Sequence, residues 1–336
     1  MTTTAMSPDT DGEFEFDDHQ PQKRIELSHT ICENELGMRL DKLTATVFAD
    51  FSRTQLQTFI ESKQLLVNDT LQKPKYRVKL GDVLHLSAVI EDHSSDFPEN
   101  IAIEVVYEDD EVIVINKPAG MVVHPGAGNR TGTLVNALLY HYPDNAHIPR
   151  AGLVHRIDKD TTGLLVVART KPTQLHLIDQ LKDKSVYRHY QCICQGVPSD
   201  ILRHSTIDLP IARHPTQRTK MAVRDGGKPA MTHIIKATAL NDRYSLLDVT
   251  LKTGRTHQIR VHLSHLGFAL VGDKVYGQPI KSGLSDECRQ AIKNFTRQAL
   301  HAYRLGFIHP KTREAMQFYA PLPSDMTDLI DTLMQQ

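Results

Sequence analysis

The spacing of hydrophobic residues divides the chain into a tail, a small module and a larger domain. Residues 1–25 show no regular hydrophobic period and are expected to be disordered, and the acidic tail that they begin is expected to reach residue 36. From residue 37 onward, apolar residues recur at helical or at alternating spacing. The acidic and serine-containing segment 90–100 predicts a linker that separates the small module from a larger domain over residues 101–336.

The small module, residues 37–89, combines two predicted helices with a small sheet. Apolar residues at helical spacing predict a first helix over 39–48, and Ser52 is a suitable N-cap for a second helix over 53–62. Apolar runs at 65–69, 73–78 and 81–86 predict the strands. The pattern therefore favours a compact αα-β module with a basic face that includes Arg39, Lys42 and Arg53.

The larger domain is dominated by strands with alternating apolar residues. Strands are predicted at 103–107, 112–115, 164–168, 186–195, 231–239, 244–252, 299–308 and 315–319, and helices at 133–140, 172–182, 256–266 and 325–334. Regular alternation of strand and helix is missing, which argues against a doubly wound parallel sheet. We therefore predict an α+β fold with a mixed, mostly antiparallel sheet flanked by helices.

Composition adds the broad class of protein. With 336 residues, 40% of them hydrophobic and 24% charged, the chain is an ordinary globular protein with room for two domains. The acidic N-terminal segment is unlike a secretory signal, and no apolar run approaches the roughly 18 residues of a membrane span. Four cysteines in so long a chain do not indicate a disulfide framework, so we expect reduced thiols and a cytoplasmic location.

The distribution of charge is uneven along the chain. Residues 1–36 contain nine acids and two bases, whereas residues 37–336 contain 31 acids and 37 bases, a net charge of +6 against −1 for the whole chain. An acidic tail on a mildly basic body is typical of a protein that binds a polyanion. A solvated tail on an average surface explains the same numbers, and charge alone leaves both interpretations open.

Two blocks of charged residues, about a hundred positions apart, are candidates for one site. His155-Arg156-Ile157-Asp158 places cations beside a carboxylate just before a buried strand, and an ionised Asp can act as a nucleophile or a general base. A structural ion pair followed by a capped turn over 160–163 is the alternative, and spacing alone does not rank Asp158 above Asp160.

The second block, 254–260, opens a predicted helix, where backbone N–H groups and arginines suit an anion; ordinary helix capping with solvated charges is the alternative. On the strand 186–195, Arg188 and Tyr190 share one face. They could hold a base or a proton, or they could simply be half-buried edge residues.

The motifs argue against nucleotide and metal chemistry. The glycine-containing segments at 117–120 and 124–128 match neither a P-loop nor a dinucleotide-binding fingerprint. His257, His262 and His265 spread too widely around a helix to bind one metal ion. We therefore expect no nucleotide, metal or other cofactor.

Four ordered blocks closely resemble the motifs of the RluA family of pseudouridine synthases. The blocks are Lys117-Pro118-x-Gly120, His155-Arg156-Ile157-Asp158-x-x-Thr161-Thr162-Gly163-Leu164-Leu165, Arg188-x-Tyr190 and Gly254-Arg255-Thr256-His257-Gln258-Ile259-Arg260-Val261-His262. The first module, with Arg39-Leu40-Asp41 and Val67-Asn68, resembles the S4 RNA-binding fold. His124-Pro125-Gly126-Ala127-Gly128-Asn129 and Arg213-His214-Pro215 are most similar to a branch that modifies the helix 69 stem-loop of 23S rRNA.

The resemblance implies an isomerase that converts uridine into pseudouridine without a cofactor. It implies Asp158 as the catalytic carboxylate, attacking C1′ or removing a ribose proton, Arg260 as its partner, and Tyr190 as the residue that stacks on the base and accepts a proton from C5. Arg156 would fill the space left by the flipped base. The remaining contacts expected with RNA come from Lys117, Arg188, Arg255 and His257 in the catalytic domain and from Arg39, Lys42 and Arg53 in the S4-like module.

The expected partner is 23S rRNA or a precursor of the large ribosomal subunit, bound by a monomer that does not associate with membranes. Two alternatives remain at this point. A non-catalytic RNA-binding or ribosome-assembly factor would have the same S4-like module and basic body. A metal- or nucleotide-dependent hydrolase is indicated only by the histidines and the glycine loops.

Overall fold

The computed structural model describes residues 22–48, 51, 53–91, 97–125, 129, 131–217 and 219–336. The chain divides into two compact units, residues 1–95 and 96–336. The predictions for residues 1–21 and for the middle of the linker, residues 92–96, lie outside the described residues. In the part of the chain that is described, each helix is too short or too polar to cross a lipid bilayer.

The first unit packs two helices against a small antiparallel sheet. Its elements are β1 (Gln22–Thr30), α1 (Leu40–Val47), α2 (Arg53–Glu61), β2 (Leu65–Val67) and β3 (Val83–Glu91), with β3 between β1 and β2. The apolar stripes of both helices, including Leu40, Leu43 and Leu56, are fully buried against β2 and β3. The prediction of an αα-β module is therefore confirmed.

Two details of the predicted first unit are wrong. Strand β1 pairs with β3 over its whole length, so residues 22–30 belong to the sheet and not to a disordered tail. Apolar and polar residues alternate only weakly along β1, so its pairing with β3, and not its own sequence, determines its conformation. The segment 73–78 is a turn with a single bridge from Arg77 to Arg39, because Pro74 cannot donate to a ladder and the Tyr76 N–H closes a turn onto the Lys73 carbonyl at 2.8 Å.

The second unit is built on one large sheet. Its described strands are β4 (Glu104–Glu108), β5 (Val112–Lys117), β6 (Thr162–Ala168), β7 (Tyr187–Gln195), β8 (Thr206–Asp208), β9 (Ile211–Arg213), β10 (Met221–Val223), β11 (Met231–Ala239), β12 (Tyr244–Leu251), β13 (Leu300–Ile308) and β14 (Ala315–Tyr319). Nine of these described strands form a sheet of order β4-β5-β6-β13-β7-β12-β11-β8, with β14 paired to β13. The pairing of β6 with β13 is parallel and the other described pairings are antiparallel, which confirms the mixed, mostly antiparallel sheet.

Helices flank this sheet. They are α3 (Leu134–His141), α4 (Lys171–Lys182), α5 (Pro198–Ile201), α6 (Gln258–His265), α7 (Asp286–Asn294) and α8 (Ser324–Met334). Strands β8 to β10 and helices α5 and α7 were not predicted from the sequence, because each is short or mostly polar. The α+β class is confirmed. Cys192 and Cys194, on β7, are buried free thiols, as expected.

The junction of β6 and β13 fixes the segment that carries the candidate carboxylate. Every residue of β6 is buried, and the parallel register pairs Gly163 with Ala302. Gly163 has a φ of 113°, and a Cβ at this position would lie 2.3 Å from the Ala302 carbonyl oxygen. A side chain there would push the two strands apart, so the glycine holds the end of β6, and the loop before it, against β13.

Candidate active site

Three distant segments of the second unit line one cleft of about 560 Å³, open solvent included. The loop before β6 contributes Arg156, Asp158 and Thr161, the strands β7 and β12 contribute Arg188, Tyr190 and Leu251, and the start of α6 contributes residues 254–260. The two charged blocks that the sequence separates by about a hundred residues therefore meet in space.

Asp158 and Arg260 form a direct ion pair at the cleft. Arg260 Nη1 donates a hydrogen bond to Asp158 Oδ2 at 2.9 Å. The Asp158 side chain is 17% exposed and that of Arg260 is 6% exposed. The carboxylate therefore faces the cleft while its cationic partner lies behind it.

A second carboxylate, Asp273, holds Arg260 from the buried side. Arg260 Nε and Nη2 donate to the two Asp273 oxygens at 2.7 and 2.9 Å, and the Asp273 side chain has no exposed surface. Burial opposes both charges, but the hydrogen bonds and the charge of Asp273, with a contribution from Asp158, raise the pKa of Arg260 above its ordinary value. The same pairing lowers the pKa of Asp273 in spite of its burial.

Sequence reasoning missed Asp273. The residue directly follows an apolar run and a glycine, 269–272, and this was the signal in the sequence: an acid placed at the end of a buried segment. Its oxygen Oδ1 also accepts the backbone N–H groups of Val275 and Tyr276 at 2.9 and 3.0 Å. The arginine is thus fixed by a carboxylate that is itself fixed by the backbone.

His257 lies on the other side of Asp158, with 3.9 Å between His257 Nε2 and Asp158 Oδ1. The Met221 N–H donates to the Tyr276 hydroxyl at 2.8 Å, so that hydroxyl can donate its own proton to His257 Nδ1, also at 2.8 Å. Burial chiefly lowers the pKa of His257, which favours the neutral ring. A neutral ring that accepts at Nδ1 carries its proton on Nε2 and presents an N–H to Asp158.

Arg188 and Tyr190 lie on the same face of β7, as the alternation predicts, and both are buried in the cleft wall. Burial raises the pKa of Tyr190, so its side chain is a neutral phenol at neutral pH. Arg156 is exposed at the cleft, and Arg255 is anchored there by a hydrogen bond from its Nε to the Pro229 carbonyl at 3.0 Å.

The expectation that Lys117 contacts RNA is wrong. Its side chain is fully buried, and Nζ donates to the backbone carbonyls of Pro118, Met121 and Lys159 at 2.6, 2.9 and 2.9 Å. Burial lowers the pKa of Lys117 to about 7. Because Lys159 directly follows Asp158, this ammonium ties the end of β5 to the loop that carries the carboxylate.

The basic residues predicted for the S4-like unit have different environments. Lys42 is exposed, whereas Arg39 donates from Nε and Nη2 to the two Asp41 oxygens at 3.0 and 2.8 Å. Arg53 is the first residue of α2, and its side chain lies outside the described residues, as do residues 126–128 of the glycine-containing loop.

In the described ranges, no group of three His, Cys, Asp or Glu side chains is arranged to hold a metal ion.

Comparisons with known proteins agree on one family. Residues 111–265 match the model of the RNA pseudouridylate synthases, and residues 38–84 match the S4 domain. The chain is 46% identical to ribosomal large subunit pseudouridine synthase D of Pasteurella multocida, over 92% of this chain and 95% of that protein. It is 45% identical to the protein of the same name from Escherichia coli K12, over 93% and 95% of the two chains. Among solved structures, human RNA pseudouridylate synthase domain containing 4 matches 68% of this chain and 92% of its own, with a TM-score of 0.53 and 25% identity.

Proposed function

The chain belongs to the RNA pseudouridylate synthase family, and from that premise we propose that it converts uridine into pseudouridine in the RNA of the large ribosomal subunit. The observation that carries the proposal is the Asp158 carboxylate at the cleft, paired at 2.9 Å with an arginine that a second, buried carboxylate holds in place. Such a chain of fixed charges gives the reacting oxygen one position, which is a general requirement for efficient catalysis.

The relatives and the first unit support the proposed substrate. The two bacterial relatives are named for the large ribosomal subunit, and they align with more than nine tenths of this chain. The S4 domain, which we propose to extend over residues 37–89, would bind the RNA, with Lys42 as an exposed contact. Within the large-subunit RNA we propose the helix 69 stem-loop as the target, because the loops at 124–129 and 213–215 resemble the branch that modifies it.

The reaction breaks the N1–C1′ bond, turns the uracil ring and joins C5 to C1′. In the first step the electron pair of the broken bond stays on the uracil ring, which becomes an anion. Asp158 acts on the sugar, either by forming a bond to C1′ or by removing a ribose proton. After C5 has bonded to C1′, the proton on C5 is lost and N1 takes up a proton, so no oxidant or phosphate donor is required.

The target nucleotide must leave its stack before Asp158 can reach its sugar. Extrusion of a base costs a few kcal/mol, and groups that replace the lost contacts offset this cost. We propose that the exposed Arg156 fills the gap in the RNA and that Tyr190 stacks on the flipped uracil inside the cleft. Arg255 and His257, in the segment that leads into α6, would complete the contacts with the sugar and its phosphates.

The proposed substrate is tested by mapping pseudouridines in large-subunit RNA from cells with and without this protein. Carbodiimide modification followed by primer extension reports each pseudouridine as a stop. Loss of stops in the helix 69 stem-loop, and their return when the wild-type chain but not Asp158→Asn is supplied, is the expected result. An unchanged pattern over the whole large-subunit RNA would contradict the proposed substrate.

A further inference from the structure

Arg188 is a buried cation without a protein partner. The residue is 8% exposed, it lines the cleft, and its Nε has no hydrogen-bond acceptor. Across the described residues, its guanidinium forms no ion pair and donates no hydrogen bond to a protein oxygen. Buried charges are normally paired, since an unpaired one costs free energy. Such a group at a cleft indicates a ligand with a complementary charge.

The neighbours of Arg188 are consistent with a ligand inside the cleft. Arg188 is two residues from Tyr190 on the same face of β7, and its Nη1 faces Gly254, in the loop between β12 and α6. A Cβ on residue 254 would lie 2.8 Å from Nη1, so glycine leaves the guanidinium room to lie against the backbone. The cation is thus held near the position proposed for the uracil ring.

We propose that the Arg188 guanidinium binds a carbonyl oxygen of the flipped uracil and stabilises the negative charge that the ring acquires when the N1–C1′ bond breaks. This inference rests on the proposed function. The electron pair left on N1 is shared with the ring carbonyl oxygens, so a donor at O2 or O4 binds the anion more strongly than the neutral base. Interactions of this kind lower the barrier more than they strengthen substrate binding.

A contact with an RNA phosphate is the other source of negative charge for an arginine. The burial of Arg188 beside Tyr190 favours the base, because the exposed cations at the cleft, such as Arg156, are the ones that a backbone phosphate reaches first. The two sources differ in their kinetics. A phosphate contact affects KM and the dependence on salt, whereas a contact with the uracil anion affects kcat.

The test uses Arg188→Met, which replaces the unbranched stem of the arginine as far as Nε and removes the charged guanidinium. With C5-tritiated uridine in large-subunit RNA, we expect kcat to fall by about 10²- to 10³-fold with little change in KM, as for the loss of one donor to a developing anion. Arg188→Lys should recover part of the rate. The melting temperature of Arg188→Met should stay the same or rise, because an unpaired buried charge has been removed. A purely structural role for Arg188 would instead lower the melting temperature.

RNA with 2-thiouridine or 4-thiouridine at the target position identifies the contacted oxygen. Sulfur is a weaker acceptor, so substitution at the contacted position should slow the wild-type enzyme but slow Arg188→Met far less, whereas substitution at the other position should slow both equally. The inference is overturned if kcat of Arg188→Met stays within about threefold of wild type or if only KM changes. It is also overturned if each thio substitution slows Arg188→Met by the same factor as it slows wild type. Failure of the proposed function looks different, since the wild-type chain itself would then release no tritium.

Discussion

The buried carboxylate Asp273 gives the sharpest prediction about how the site is held together. In Asp273→Asn the side chain keeps its shape and one acceptor oxygen but loses its charge. Arg260 is then left in a buried position with Asp158 as its charged partner. Removal of one member of a buried ion pair costs about 3–5 kcal/mol, and because the Asn oxygen keeps one hydrogen bond to Arg260 we expect the lower end, about 3 kcal/mol. For a unit of this size that lowers the melting temperature by roughly 6–12 °C.

The matched control is Asp179→Asn, which breaks another ion pair of the same length. Lys182 Nζ lies 2.7 Å from Asp179 Oδ1, as Arg260 Nε lies 2.7 Å from Asp273 Oδ2, but the surface pair is about 70% exposed. Exposed pairs contribute roughly 0.2–1 kcal/mol, so the control should lose at most a few degrees. The assay is thermal unfolding followed by circular dichroism. Equal losses in the two variants would refute the argument that burial, not distance, makes the Asp273 pair strong.

The pH dependence of the same pair has a defined sign. The pKa of Asp273 is lower in the folded chain than the roughly 3.9 of an unfolded Asp, so its contribution to stability is fully present above pH 4 to 5 and is lost as the pH falls through the folded pKa. The difference in unfolding free energy between wild type and Asp273→Asn should therefore be constant from pH 7 to 5 and should shrink below about pH 4. A difference that grows on acidification would contradict this.

Three further predictions test individual residues. Lys117→Met should lower the melting temperature. The pKa of Lys117 is about 7 in the folded protein and about 10.4 in the unfolded chain, so the unfolding free energy of wild type alone should rise by up to about 1.4 kcal/mol per pH unit between pH 7 and 9. Parallel profiles of unfolding free energy against pH for the two proteins would disprove this. Tyr190→Phe should bind RNA normally but release C5 tritium at least about 10²-fold more slowly. A normal rate would show that Tyr190 does not accept the C5 proton and only stacks on the base. Lys42→Ala should weaken RNA binding and reduce the slope of log binding constant against log salt concentration by about 0.7, whereas Lys182→Ala should not. Equal slopes for the two variants would contradict the proposed contact between Lys42 and RNA.

The sequence predicts elements well where a segment shows its own periodicity. The alternation in 187–195 and 231–239 and the helical spacing in 171–182 each contain enough turns or pairs to identify a buried face. Helix α7 was missed because few of its residues are apolar, with Cys288 and Ile292 the two that it buries. Strand β1 was missed because its conformation depends on β3, more than fifty residues away.

The site shows a similar division between local and long-range information. The two charged blocks and the strand face proposed Asp158, Arg260, Arg188 and Tyr190 as candidates, but it was the resemblance of those motifs to the RluA family that chose Asp158 over Asp160 and paired it with Arg260. Asp273 could not, since what identifies it is its hydrogen bonds to Arg260 in the folded chain. Lys117 was misread because an exposed lysine is far more common than a buried one, and only the three surrounding carbonyls account for its burial.

The measurement that bears most directly on the central claim is tritium release from C5-labelled uridine in large-subunit ribosomal RNA, with wild type and Asp158→Asn compared at equal RNA occupancy. The paired carboxylate at the cleft predicts rapid release by wild type and none above background by the variant, although both bind the RNA. Release by Asp158→Asn at a rate close to that of wild type would show that another group does the chemistry.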